Sequence, residues 1–254
     1  MSHNPLITIV TPSYNQGQFI EETILSILNQ TYKNIQYIIV DGGSTDQTME
    51  VVNKYKDQID IIIHEKDNGQ SDAINKGFKL AKGELVGWIN SDDILYANCV
   101  ENIVKLYLEN KSGAIFYCSK LDLINKASGI INTVTVNIPN RNYLLKENYN
   151  LIQQGSFYNY EIIKKVGFLN ESIHYCMDLE LWLRLLHFGS IHKLNDKVYS
   201  AFRIWEETKS STGGSLFLEN ISKVLLDNGG SVFSANFIRI KWYLLKIIIK
   251  NFLN

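Results

Sequence analysis

The run Asn90-Ser-Asp92-Asp93 sets two adjacent carboxylates directly after the apolar stretch Glu84–Ile89. Adjacent carboxylates repel, and a cation between them and a ligand removes the repulsion. Hard divalent ions such as Mg²⁺ or Mn²⁺ take oxygen ligands and leave positions for substrate phosphates. Taken alone, the pair reads equally well as a cap on the helix predicted from Ala97. A second cluster, Asp41-Gly-Gly-Ser-Thr-Asp46, has the composition of a phosphate-cradling loop. It lacks the GxGxxG spacing and follows the second predicted strand, not the first, so it is a weak match to a dinucleotide site. Asp41 itself comes straight after Ile-Ile-Val and is placed to accept hydrogen bonds from a base or sugar. A third carboxylate, Asp178, opens a predicted helix at Leu179–Phe188. There it serves either as a cap or as a base, and Leu181 leaves no capping box.

Residues so far apart in sequence need a scaffold that gathers them. Leu6–Val10, Ile35–Val40, Asp60–His64, Glu84–Ile89 and Ala114–Cys118 read as short strands. Between them, Gly17–Gln30, Thr45–Tyr55, Gln70–Ala81 and Ala97–Asn110 read as helices. In the first of these Ile20, Ile24, Ile27 and Leu28 share one face. Strand–helix alternation with nearly continuous apolar strands predicts a mostly parallel sheet covered on both faces. Such sheets bind ligands at the carboxyl ends of their strands, which is where the polar clusters fall. Beyond residue 120 the pattern weakens. Gly129–Ile138, Leu151–Tyr158 and Ile191–Arg203 read as strands, Tyr160–Val166 and Leu216–Asp227 as helices.

Taken together, these segments resemble the family 2 glycosyltransferases, whose fold is GT-A, a Rossmann-like α/β architecture. The resemblance rests on TPSYNQGQFIEETILSILNQTY (11–32), VDGGSTDQT (40–48), EKDNGQSDAINKGFKLAKGE (65–84), WINSDDIL (88–95) and IQQGSFYNYEIIKKVGFLNESIHYCMDLELWLRL (152–185), in that order. It is strongest toward bacterial enzymes that build O-antigen and other surface polysaccharides. It implies a nucleotide-diphosphate sugar as donor, a saccharide or lipid-linked acceptor, inversion at the anomeric carbon and a divalent cation, Mn²⁺ or Mg²⁺. Thr11, Pro12 and Tyr14 would line the nucleotide pocket, with Asp41 on the base and Asp67 as a further nucleotide contact. Asp72 and Asn75 would support the phosphate and sugar. Asn90, Ser91 and Asp92 stand where the family has its DxD motif, leaving Asp92 and Asp93 for ribose and metal. Asp178 matches the general base. Gln154 and Gly155 would face the acceptor, with Trp182 as a wall of that site. Trp205 occupies the position where relatives often carry a metal-binding histidine. Glu206 or Glu207 would be its substitutes, and Arg203 and Lys209 are candidates for the diphosphate. A nucleotidyltransferase and a nucleotide-sugar-binding module that has lost catalysis stand as alternatives.

Composition narrows the partners. The 254 residues carry 25 Lys and Arg against 26 Asp and Glu, a formal net charge of −1, which gives no footprint for nucleic acid. The three cysteines form no metal or disulfide spacing and read as reduced thiols. No leader with a long apolar region and no run of about 20 apolar residues is present, so the expectation is a cytoplasmic protein, peripheral on the inner face of the plasma membrane. The segment 231–254 contains Arg239, Lys241, Lys246 and Lys250 and no acid, a net of +4 against −5 for the rest. At about 100° per residue Ile238, Trp242, Leu245 and Ile249 share one side of a helix, the pattern of an interfacial membrane helix. The alternative is a helix packed on the domain or on a second subunit. The expected organisation is a catalytic domain over residues 1–215 and a basic, amphipathic tail over 216–254.

Overall fold

The computed structural model describes residues 3–206, 208 and 213–253. The expectations placed on Glu207 and Lys209 lie outside them. Strand β1 (Ile7–Ser13) leads to helix α1 (Ile20–Leu28), β2 (Ile35–Asp41), α2 (Thr48–Lys54), β3 (Ile61–His64), α3 (Gln70–Lys79) and β4 (Leu85–Trp88). A two-residue β5 (Ile94–Leu95) then precedes α4 (Cys99–Glu109), β6 (Ile115–Cys118), β7 (Lys120–Ile124) and β8 (Ile130–Thr135). Next come α5 (Arg141–Lys146), β9 (Ser156–Asn159), α6 (Tyr160–Val166) and α7 (Met177–Leu185). The chain continues through β10 (Ile191–Leu194), β11 (Ser200–Arg203), α8 (Gly214–Asp227) and α9 (Ala235–Leu253).

Seven strands form the central sheet in the order β10-β6-β9-β4-β1-β2-β3. All its neighbours run parallel except β9, which is antiparallel to both β4 and β6. The period-2 alternation of the strands sorts the core onto two faces. Ile7, Ile9, Tyr37 and Ile39 meet α1, α2 and α4 on one side. Val10, Ile38, Val40 and Trp88 meet α3 and α7 on the other. Helix α2 has only seven residues, and isolated helices below about 12–15 residues are marginal in water. Burial of Val51 and Val52, at roughly 1.5–3 kcal/mol per large apolar side chain, is what holds it. A second, four-stranded sheet in the order β5-β11-β7-β8 was not foreseen. Its strands are short, and β5 offers no periodicity to read.

Two expected boundaries move. The strand expected over Leu151–Tyr158 is confined to β9. Helix α8 falls beyond the expected division at residue 215, yet it buries Ile221, Val224 and Leu225 in the main core. Packing therefore joins α8 to the body, and α9 is fastened to it through Asn236 and Ile240. Among the described residues no helix is long and apolar enough to cross a membrane.

Candidate active site

A cavity of about 640 Å³ opens at the carboxyl ends of β1, β3 and β4. Its first wall is Pro12, Ser13 and Tyr14 from β1 and its exit, Asp67 after β3, and Asn90, Ser91 and Asp92 after β4. Its opposite wall comes from the second half: Gln153, Gln154, the segment His174–Asp178, Trp205, and Phe217 and Ile221 of α8. Thus Pro12, Tyr14, Asp67, Asn90, Ser91, Asp92, Gln154 and Asp178 are brought together as the sequence suggested.

Asp178 owes its place to a turn. Cys176, just ahead of α7, adopts a left-handed conformation with φ of 52°, which a residue bearing a Cβ visits at a cost. Helix α7 then starts at Met177, so Asp178 lies in the first helical turn and is not the cap. Its Oδ1 accepts from the N–H of Leu179 at 2.8 Å. The helix dipole favours a carboxylate there. Glu180 and Arg184 form a two-pronged pair at 2.6 and 2.7 Å. Arg184 also donates to the carbonyls of Val166, Gly167 and Phe168. This clamp fixes α7, and Asp178 with it, against the loop after α6. Burial, then the charges of Asp178 and Glu180, pushes the Cys176 thiol far up, so it is no nucleophile at neutral pH.

The two carboxylates after β4 part company. Asp92 faces the cavity, and its Oδ2 accepts from the indole Nε1 of Trp205 at 3.1 Å. Burial raises its pKa, while the Trp205 N–H and the Arg203 charge pull it back. Asp93 is fully buried. It accepts from Gln154 Nε2 at 2.9 Å, Asn90 Nδ2 at 3.0 Å and the Arg203 backbone N–H at 3.0 Å. Burial, then the neighbouring Asp92, drives its pKa well upward. The expected metal role of Asp93 is therefore corrected: it ties β4 to β9 and β11. Arg203 is corrected too. It is 1% exposed and bonds the Asp92 carbonyl at 2.8 Å, Glu22 Oε2 at 2.5 Å and the turn at Asn125–Ser128.

Other expected site residues turn inward. Thr11 is buried and accepts from the Tyr37 hydroxyl at 3.2 Å. The Asp41 carboxylate takes the Ser44 hydroxyl at 2.5 Å, the Gly43 and Ser44 N–H groups, and the His64 ring at 2.7 Å. It folds the loop after β2 and is itself fully buried. Asp72 accepts from the Asn68 N–H at 2.9 Å. Asn75 bridges to Leu169 and Glu171. Gly155 holds a φ of +74°, with Cys118 Sγ 3.0 Å from where a Cβ would stand; it is a turn beside Gln154 of the second wall. Trp182 is fully buried, donating to the Tyr158 hydroxyl at 3.1 Å. Thr11, Asp72, Asn75 and Gly155 sit one or two residues from a lining position, so there a motif locates the wall better than it identifies the side chain on it.

Sequence reasoning missed several lining groups. The Ser13 hydroxyl and the Gln16 side-chain carbonyl are buried beside the cavity without a hydrogen-bond partner. Leaving such a group unpaired costs about 1–3 kcal/mol, and a ligand would relieve it. His174 and Tyr175 also line the cavity, their rings packed edge to face at 4.7 Å. The signal that could have found Ser13 and Gln16 is their place at and just past the end of β1, one of the polar strand ends.

The cavity fits a divalent cation only in one manner. Among the described residues no group of three or more His, Cys, Asp or Glu side chains is placed to hold a metal ion. Asp92 is the one carboxylate of its pair that reaches the cavity, and Glu206 is exposed and away from it. Such a donor set suits an ion that takes its other ligands from water and substrate phosphates.

Residues 8–167 match the family model for glycosyl transferase family 2. An uncharacterized glycosyltransferase of Rickettsia typhi is 33% identical over 202 residues, covering 75% of this chain and 62% of the relative. The chondroitin synthase of Pasteurella multocida is 30% identical over 198 residues, covering 77% of this chain and 20% of that enzyme. The chain thus spans under two thirds of the length of these relatives. Among solved structures, S. aureus TarS in complex with UDP-GlcNAc superposes with a TM-score of 0.70 at 18% identity, covering 96% of this chain and 71% of that one. The mannosyltransferase PcManGT from Pyrobaculum calidifontis, in complex with GDP-Man and Mn²⁺, gives 0.70 at 16% identity, covering 98% and 74%. Both share the GT-A fold found here. With its strand-end cavity, the match over residues 8–167 and these relatives, the chain belongs to glycosyltransferase family 2.

Proposed function

We propose that the chain is an inverting transferase that moves a sugar from a nucleotide-diphosphate donor to a hydroxyl of a saccharide or lipid-linked acceptor. The observation that carries this is the pairing of Asp92 and Asp178 on facing walls of one cavity. Asp178 takes the proton of the acceptor hydroxyl, whose oxygen attacks the anomeric carbon from the face opposite the nucleotide. The bond from that carbon to the diphosphate oxygen breaks, and the nucleoside diphosphate leaves with the bonding pair. A single displacement inverts the anomeric centre. A base in hydrogen-bond reach contributes typically 10²–10⁴-fold. The unpaired Ser13 hydroxyl and Gln16 carbonyl are where a donor's polar groups find partners. Asp92 would hold a divalent cation, which when bound screens the charge developing on the diphosphate.

The resemblance to polysaccharide synthases supports a role in surface-polysaccharide synthesis, as O-antigen, capsule or exopolysaccharide, on the cytoplasmic side. A lipid-linked acceptor would put the reaction at a membrane surface, with residues 231–254 as the segment that meets it. The test is a thermal-shift screen of UDP, GDP, CDP and dTDP with and without Mn²⁺, followed by incubation with the matching nucleotide sugars. A nucleotide that binds the folded state must raise its stability. Transfer with inverted anomeric configuration, read by NMR, supports the mechanism. A retained configuration, or no shift with any nucleotide, overturns it.

A further inference from the structure

Helix α9 is fastened to the body by one side only. Asn236 is fully buried, and its Nδ2 donates to the Leu144 carbonyl at 2.7 Å. Ile240 is fully buried in the main core, with Leu244 packed beside it. Arg239 lies over the Tyr149 ring at 5.0 Å and donates to Asn236 Oδ1 at 2.7 Å. At about 100° per residue these anchors centre on the side of the helix opposite Ile238. The opposite side is the more apolar one, and it faces out. Ile238 is 62% exposed, Trp242 51%, Leu245 53% and Ile249 48%. Those four positions fall within about 60° of one another and run roughly 16 Å along the axis. Phe233, just before the helix, is 89% exposed. A helix in water ordinarily buries its apolar stripe and shows its polar face. This one does the reverse, while remaining anchored.

Charge decides what covers the stripe. Lys241 and Lys246 lie on its two flanks, both exposed, and no acidic residue occurs after Asp227. The Lys246 ammonium stands 3.3 Å from the centre of the Trp242 ring. Two lysines whose stems border an apolar strip, with Trp and Tyr beside them, match a layer that is apolar below and anionic above. We infer that α9 is a docking helix for an anionic lipid surface, with Ile238, Trp242, Leu245 and Ile249 entering the acyl boundary and Lys241 and Lys246 meeting lipid phosphates. Arg239 is committed to Tyr149 and takes no part. Tyr149 lines the catalytic cavity, and α8, packed on α9, lines it through Phe217 and Ile221. Docking therefore sets the cavity one helix away from the lipid surface, within reach of an acceptor held in that surface. The docking itself does not depend on the catalytic reading.

The experiment is sedimentation of the whole chain with phosphatidylcholine vesicles and with vesicles that also contain phosphatidylglycerol. At low salt the expected binding to anionic vesicles is at least tenfold stronger than to neutral ones. Trp242→Glu with Ile249→Glu should abolish it, leaving the melting temperature and the nucleotide-induced thermal shift unchanged. Lys241→Glu with Lys246→Glu should remove the preference for anionic lipid. Absence of binding to either vesicle overturns the inference. So does a dimer in light scattering that Trp242→Glu dissolves, because the stripe would then belong to a second copy. Equal binding to both vesicle types overturns the assignment of Lys241 and Lys246 to lipid phosphates.

Discussion

The wall made by the ends of β1 to β4 and the wall made by the second half of the chain use their charged groups differently. In the first, Asp41, Asp72 and Asp93 bond to their own loops or to neighbouring strands. Asp67 and Asp92 alone among its singled-out acids reach the cavity. In the second, a left-handed residue and an Arg–Glu clamp present a single acid, Asp178, at a helix start. In one wall most of the acids are tied up by neighbouring polar groups. The other is rigid because apolar α7 is locked from behind. Carboxylates that stabilise a loop and carboxylates that face a substrate can thus be adjacent in sequence and opposite in effect.

The sharpest way to break this comparison is to remove an acid from each wall. Asp178→Asn should lower the transfer rate by about 10²–10⁴-fold, with a melting curve close to that of the parent. A rate within a few-fold of the parent would strip Asp178 of its role. Asp93→Ala should do the opposite. It orphans donors on Gln154, Asn90 and Arg203, at roughly 1–3 kcal/mol for a buried unpaired group, read by urea denaturation. Its neighbour sharpens the contrast. Asp92→Asn should change stability by less than about 1 kcal/mol, and weaken nucleotide binding in Mn²⁺ about tenfold by calorimetry. Should Asp92 and Asp93 variants behave alike, the division between the pair fails.

A milder probe asks whether Trp205 tunes Asp92 or merely fills space. Trp205→Phe keeps a ring against Phe19, now 5.1 Å away edge to face, and deletes the N–H bonded to Asp92. The expected loss is about 1 kcal/mol of stability, together with an altered Mn²⁺ dependence of nucleotide binding. The smallest effect belongs to His192, whose ring stacks on Phe116 at 5.6 Å. Burial lowers its pKa from the usual 6.5. The folded state therefore binds this proton less readily than the unfolded state. The contribution is intact above about pH 6.5 and is lost as the pH falls below it. His192→Gln should flatten that part of the stability–pH curve measured by melting.

Periodicity was enough to read the first four strands and their helices, because β1, β2 and β4 are buried on both faces, β3 is a short apolar edge strand, and each helix carries one apolar side. The strand-end rule and the motif order located the cavity. What stayed illegible was direction. Asp92 and Asp93 differ by one position, and which of them faces the cavity depends on Gln154 and Arg203, 61 and 110 residues further on. The second sheet was hidden because β5 pairs with β11, Leu95 with Ser200 and Ile94 with Ala201, far along the chain. The outward apolar face of α9 was visible as a pattern, but only the burial of Asn236 and Ile240 reveals which side is anchored.

Gly42 lies in the loop after β2, and a Cβ built there would stand 2.3 Å from Oδ2 of Asp67, in the loop after β3. The two positions are therefore not free to evolve separately. Where a relative carries a bulkier residue at the first, the acid at the second must shrink or move, and the cavity wall changes shape with it. Across the family these two sites should covary as a pair, which an alignment of relatives checks.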